Sequence, residues 1–164
     1  MKTTPPAAAV YRVSDFARIL GLDRKGPRRV EGWIEKGFIK PAVLGKGPGR
    51  SRRFGFEHLL QGALLLEVQA AFGEKSPLVG RLFPDVAPVV AAYWKTGDLL
   101  GNVFANRFKT AEEDRLLMVT QEAGKVTDVK RVNAGDLVVP RGASAVTLFN
   151  ISAIHRSLLE RLSQ

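Results

Sequence analysis

The 164-residue chain has no cysteine. That absence removes the disulfide, the thiolate zinc ligand and thiol redox chemistry together. Histidine is nearly as scarce. The two present, His58 and His155, fall on separate expected helices with no histidine or acid at ligand spacing, so neither is read as a metal ligand or catalytic group. No apolar run approaches the roughly 20 residues that span a bilayer, and residues 1–10 lack the apolar core of a secretory signal. A cytoplasmic location without a membrane partner is therefore expected. No nucleophile–base pair is visible either. The loop from Gly45 to Ser51 lacks the glycine-lysine-serine order and strand-to-helix setting of a phosphate-binding loop, and Glu112, Glu113 and Asp114 read as a solvated turn. The expectation is a non-enzyme without cofactor or metal.

What the chain has is positive charge, unevenly placed. The net charge is +9. Residues 1–73 hold 13 Lys and Arg against 6 Asp and Glu, whereas residues 74–164 hold 12 against 10. Between Arg24 and Arg53 there are ten basic residues and only two acids, Glu31 and Glu35. A field of one sign over so short a stretch suits a polyanionic partner such as nucleic acid.

The order of elements follows from periodicity and punctuation. After a Thr, Pro and Ala tail, Ser14 is placed to cap a helix carrying Phe16, Ile19 and Leu20, which Gly21 stops. Pro27 at a first helical position starts a second helix with Val30, Trp33 and Ile34 inward, and Gly37 ends it with Phe38 folding back toward Trp33. Two extended segments around the glycine-rich loop, Ile39–Leu44 and Arg52–Phe56, read as a β-hairpin. The stretch from Phe56 to Phe72 is a helix so apolar that it must be buried on more than one side. Ser76 and Pro77 open a further helix reaching about Trp94, interrupted at Pro84 and Pro88. Strands follow at Leu116–Gln121, Val126–Val132, Asp136–Val139 and Ala145–Phe149, and Ser152 caps a last helix with Ile154, Leu158, Leu159 and Leu162 inward. The fold class expected is α+β. It divides into an N-terminal helix-turn-helix unit over 11–73, a helical connector over 74–96, and a small α+β unit over 97–164 with antiparallel strands and a terminal helix.

The run Tyr11-Arg-Val-Ser-Asp-Phe-Ala-Arg-Ile-Leu-Gly-Leu, with Trp33-Ile-Glu-Lys-Gly-Phe-Ile-Lys-Pro and Arg52-Arg-Phe-Gly-Phe-Glu-His-Leu, resembles the MerR-type winged helix-turn-helix domains over residues 11 to about 72. The resemblance implies a transcription regulator in which the first two helices contact DNA. It also implies a turn, here Gly37, Phe38, Ile39 and Pro41, leading into a wing closed by Arg53 and Phe54. The chain departs from the family in Glu31-Gly32-Trp33-Ile34 of the second helix and in Pro77, Pro84 and Pro88, which interrupt the long dimerisation helix.

A recognition helix needs a basic first turn, where free backbone N–H groups and the helix dipole face phosphate. Arg24, Lys25, Arg28 and Arg29 fit that place, and either Arg28 or Arg29 could grip guanine with two hydrogen bonds. Lys46, Arg50, Arg52 and Arg53 belong to the wing and are assigned mostly to the sugar-phosphate backbone. Trp33, Phe38, Phe54 and Phe56 are core. The expected partner is double-stranded DNA, with a homodimer and a protein or small-molecule effector assigned to the C-terminal unit. Two other readings stay open: a winged-helix adaptor for protein contacts, and an architectural factor of recombination or a mobile element.

Overall fold

The structure is a computed structural model, and it describes residues 11–42, 52–84 and 114–163. Over these the chain is mixed α+β. Helices α1 (Val13–Ile19), α2 (Gly26–Glu35), α3 (Phe56–Phe72) and α4 (77–84) are followed by strands β1 (Arg115–Glu122), β2 (Lys125–Asn133) and β3 (Ala145–Asn150) and by the terminal helix α5 (Ile151–Leu162).

The glycines stop the first two helices by the same device. Gly21, at φ +72°, lets its own N–H reach the carbonyl of Arg18 (3.0 Å) while the N–H of Leu22 reaches that of Ala17 (3.0 Å). Gly37, at φ +73°, repeats this with Ile34 (3.0 Å), and Phe38 closes on Trp33 (2.9 Å). Each pair satisfies helix-end carbonyls that would otherwise lack partners, at a backbone angle that only glycine adopts without strain.

The starts differ from the sequence expectation. Helix α1 begins at Val13, one residue before Ser14, because the carboxylate of Asp15 accepts the N–H of Arg12 (3.2 Å). Helix α2 begins at Gly26, so Pro27 is its second residue. At the last helix Asn150 is the cap, its side chain accepting the N–H of Ala153 (2.8 Å), while Ser152 is fully buried and its hydroxyl accepts the N–H of Arg115 (2.8 Å).

The three strands form one antiparallel sheet in the order β2-β1-β3. β1 and β2 are joined by Ala123 and Gly124, both at positive φ (47° and 75°), the backbone of a tight two-residue hairpin. Thr127 is the extra residue of a bulge where the register shifts between Thr120 and Gln121. β2 and β3 both run antiparallel to β1 and hence parallel to each other, so residues 134–144 carry the chain along the sheet and across β1. The strand expected over Asp136–Val139 is absent. Ala134–Asp136 form a turn of 3-10 helix and residues 137–140 join no ladder, leaving Val138 and Val139 73% and 61% exposed. Branched side chains favour a strand only where a partner strand receives them.

Helix α3 is the centre of the molecule. Phe56, Leu59, Leu60, Leu64, Leu65 and Val68 are buried around its circumference. On one side Gly62 lets α1 approach closely, since a methyl group there would lie 2.8 Å from Leu20 Cδ1 and 3.0 Å from the Phe16 ring. On other sides it meets α5 and β3, with the Phe72 and Phe149 rings 6.3 Å apart. One hydrophobic cluster therefore runs from Phe16, Val30 and Trp33 through Leu64 and Phe83 to Leu117, Phe149 and Leu158. Each such aliphatic or aromatic side chain contributes about 1.5–3 kcal/mol on leaving water. No described helix is long and apolar enough to cross a membrane.

Candidate nucleic-acid interface

The connection between α1 and α2 is short because Gly26 permits it. A methyl group at Gly26 would stand 2.6 Å from Leu22 Cβ and 3.1 Å from Ala17 Cβ, so the first residue of α2 sits directly against α1. Asp23 shapes the turn between them. Its carboxylate accepts the N–H of Lys25 (2.9 Å) and its carbonyl that of Gly26 (2.8 Å). Arg24 and Lys25 are thereby held just ahead of α2 with exposed side chains, and Arg28, in the first turn, is exposed beside them. Three of the four cations expected at this helix start thus form one solvent-facing group at the positive end of the helix dipole.

The fourth is different. Arg29 is half-buried, and its Nη2 donates to Gln69 Oε1 at 2.8 Å. Its Nε faces Glu74 Oε1 at 3.4 Å, and its guanidinium carbon lies 5.6 Å from the centre of the Trp33 ring. Gln69, in the last turns of α3, is itself buried.

Of the four cations assigned to the wing, Lys46 and Arg50 lie outside the described residues. Arg52 and Arg53 are half-buried, and the Arg53 carbonyl accepts the N–H of Ala42 (2.9 Å). Next to it Phe54 exchanges backbone hydrogen bonds with Tyr11 (2.8 and 3.0 Å). The Phe54 ring, fully buried, packs against Phe16 at a tilt of 45° with centroids 4.7 Å apart, so Phe54 is fixed to α1. Arg12, Arg18, Lys36 and Lys40 are further exposed cations of the same region that the sequence reading left unassigned. The signal for Lys36 and Lys40 was their place in the basic stretch from Arg24 to Arg53; Arg12 and Arg18 precede it.

His58 Nδ1 accepts the N–H of Gly55 (3.0 Å) at the start of α3, so that nitrogen carries a lone pair, and the Glu57 carboxylate 3.4 Å away faces an acceptor rather than a cation. His155 is fully buried with its ring 5.2 Å from that of Phe56; burial, with the nearby Arg156 charge, pushes its pKa down to about 4. Asp114 anchors the start of β1. It accepts two hydrogen bonds from Arg156 (2.9 and 3.1 Å) and one from Asn150 (2.7 Å), and the Arg156 contact holds its carboxyl below the usual carboxylate range. A cleft of about 370 Å³ opens between α3, β3 and α5, bordered by Leu66, Leu148, Ile154 and Arg161. Among the described residues no three acids or histidines gather to hold a metal ion.

In comparisons with known proteins, no family model matches the chain, and no curated protein matches it.

Proposed function

We propose that residues 11–73 are a winged helix-turn-helix that binds double-stranded DNA, and that the protein is a sequence-specific transcription regulator of MerR-like type acting in the cytoplasm. The observation that carries this reading is the pairing of α1 and α2 through the Gly26–Ala17 contact, with Arg24, Lys25 and Arg28 exposed together at the start of α2. In such a unit the second helix enters the major groove by its N-terminal end. Arg28 then reads a base edge, for which arginine's paired donors match guanine O6 and N7, while Arg24 and Lys25 neutralise phosphate. In this reading the wing lies between Ala42 and Arg53, and Lys46, Arg50, Arg52 and Arg53 are its contacts with the sugar-phosphate backbone of DNA.

The test is binding of the whole chain to short duplexes, followed by fluorescence anisotropy. Arg28→Ala is expected to lower affinity for a preferred site by about 1–3 kcal/mol and to relax the preference at one base pair. Unchanged affinity on removal of Arg24, Lys25 and Arg28 together overturns the reading.

One observation favours a second reading, a protein-interaction adaptor. Leu137, Val138 and Val139 present an exposed apolar segment on the crossover between β2 and β3. An adaptor would keep its partner through nuclease treatment and moderate salt, whereas phosphate contacts weaken steeply as salt rises.

A further inference from the structure

Arg28 and Arg29 are neighbours in the first turn of α2, about 100° apart around a helix axis that turns once in about 3.6 residues. Their surroundings are opposite. Arg28 faces solvent, and Arg29 is held by residues of and just beyond α3. We infer that Arg29 is a positioning residue, which fixes the rotation of α2 against the end of α3 and thereby aims Arg28, and that it does not itself touch DNA. This inference rests on the DNA-binding reading above.

The geometry carries it in three contacts. The Nη2–Gln69 hydrogen bond, at 2.8 Å to a buried acceptor, is the strongest; breaking it would strand the Gln69 carbonyl oxygen away from water. The Glu74 carboxylate, just past Gly73, lies on the Nε side of the same planar group. The third is the face of Trp33, one turn further along α2 and itself in the core. A planar guanidinium with an amide acceptor at one corner, a carboxylate oxygen 3.4 Å from its Nε and its carbon over an indole ring is held in orientation. Reaching a phosphate would require giving up all three. A lysine ammonium has neither the edge nor the plane, so it would keep the charge and lose the orientation.

Charge and position can be separated by salt. Each phosphate contact contributes about 0.9 to the slope of log affinity against log salt on duplex DNA. The experiment measures that slope for the full chain on one duplex enriched from a random pool, alongside thermal melts of every variant. Lys25→Ala, which removes a cation assigned to phosphate, should flatten the slope by about 0.9. Arg29→Ala should leave the slope unchanged and lower affinity several-fold at every salt concentration. Arg29→Lys should behave like Arg29→Ala, and if the alanine variant does not fold, Arg29→Lys and Glu74→Gln carry the test. Glu74→Gln is expected to weaken binding. Removal of an acid beside a DNA-contacting surface would by charge alone tighten it. A slope flattened by Arg29→Ala, wild-type affinity in Arg29→Lys, or tighter binding in Glu74→Gln each overturns the positioning role while leaving the DNA-binding reading intact. If the wild-type chain binds no duplex at any salt concentration, both fall.

Discussion

Arg161, in the last turn of α5, donates from Nη1 to the backbone carbonyl of Ile19 at the end of α1, 3.3 Å away. That carbonyl is one of the group a helix end leaves without an internal partner. The terminal helix thus completes an element 142 residues before it, and Leu158, one turn earlier, lies in the same cluster as Phe16 and Trp33. Leu158→Ala should cost about 2–5 kcal/mol of stability. Because the cluster is continuous, hydrogen exchange of the α1 amides should speed up together with that of α5. Exchange in α1 that ignores the substitution would mean the two ends fold independently.

Two glycine substitutions should move stability in opposite directions. Glycine to alanine inside a helix ordinarily gains about 0.5–1 kcal/mol. Gly32→Ala should show that gain, since nothing lies within 4 Å of the added methyl group. Gly62→Ala should instead lose about 1–3 kcal/mol by forcing Leu20 and Phe16 off α3. Urea denaturation of the two variants gives the comparison, and equal shifts would deny the close approach of α1 to α3.

The hairpin between β1 and β2 carries a local strain. Ala123 sits at φ 47°, where a side chain without a local hydrogen-bonding group is disfavoured by roughly 1–2 kcal/mol. Ala123→Asn, followed by Gly124, supplies the sequence that such a turn prefers. A rise in melting temperature is expected. No rise, or a fall, would show that the turn has another shape.

Acid should destabilise the fold in two steps with a known sign. His155 has a folded pKa of about 4 against an ordinary value of 6.5, lowered by burial and by Arg156. Between those values the unfolded chain takes up a proton that the folded chain refuses, so stability falls as pH drops through that window and levels off below it. The loss is on the order of 3 kcal/mol. Asp114, whose folded pKa is depressed, adds a second loss as pH falls from 3.8 through its folded value, when the carboxylate held by Arg156 and Asn150 is protonated. Denaturation midpoints across pH should show the first step in the wild type and lose it in His155→Gln. A midpoint insensitive to pH over that window would mean His155 is solvated.

Much of this architecture is legible in the chain because its signals are local. Gly21 and Gly37 end helices where the sequence places them, and the apolar periods of α1, α2, α3 and α5 identify their buried faces. What is not legible depends on partners remote in sequence. Ser152 looks like a helix cap, yet its hydroxyl is taken by Arg115, 37 residues away, and Asn150 caps instead. Residues 137–139 have strand composition but no neighbouring strand. Arg28 and Arg29 are equivalent in any local reading. Only Gln69, near the end of α3, and Glu74, just beyond it, tell them apart.

The central claim, that the exposed cations at the start of α2 read DNA, is tested most directly by selecting duplexes from a random pool with the whole chain and with Arg28→Ala. The account predicts that the wild type enriches a recurring short sequence and that Arg28→Ala loses the preference at one position of it, with its thermal melt unchanged. A wild-type pool that stays random, or a selected sequence that Arg28→Ala reproduces at every position, would contradict it.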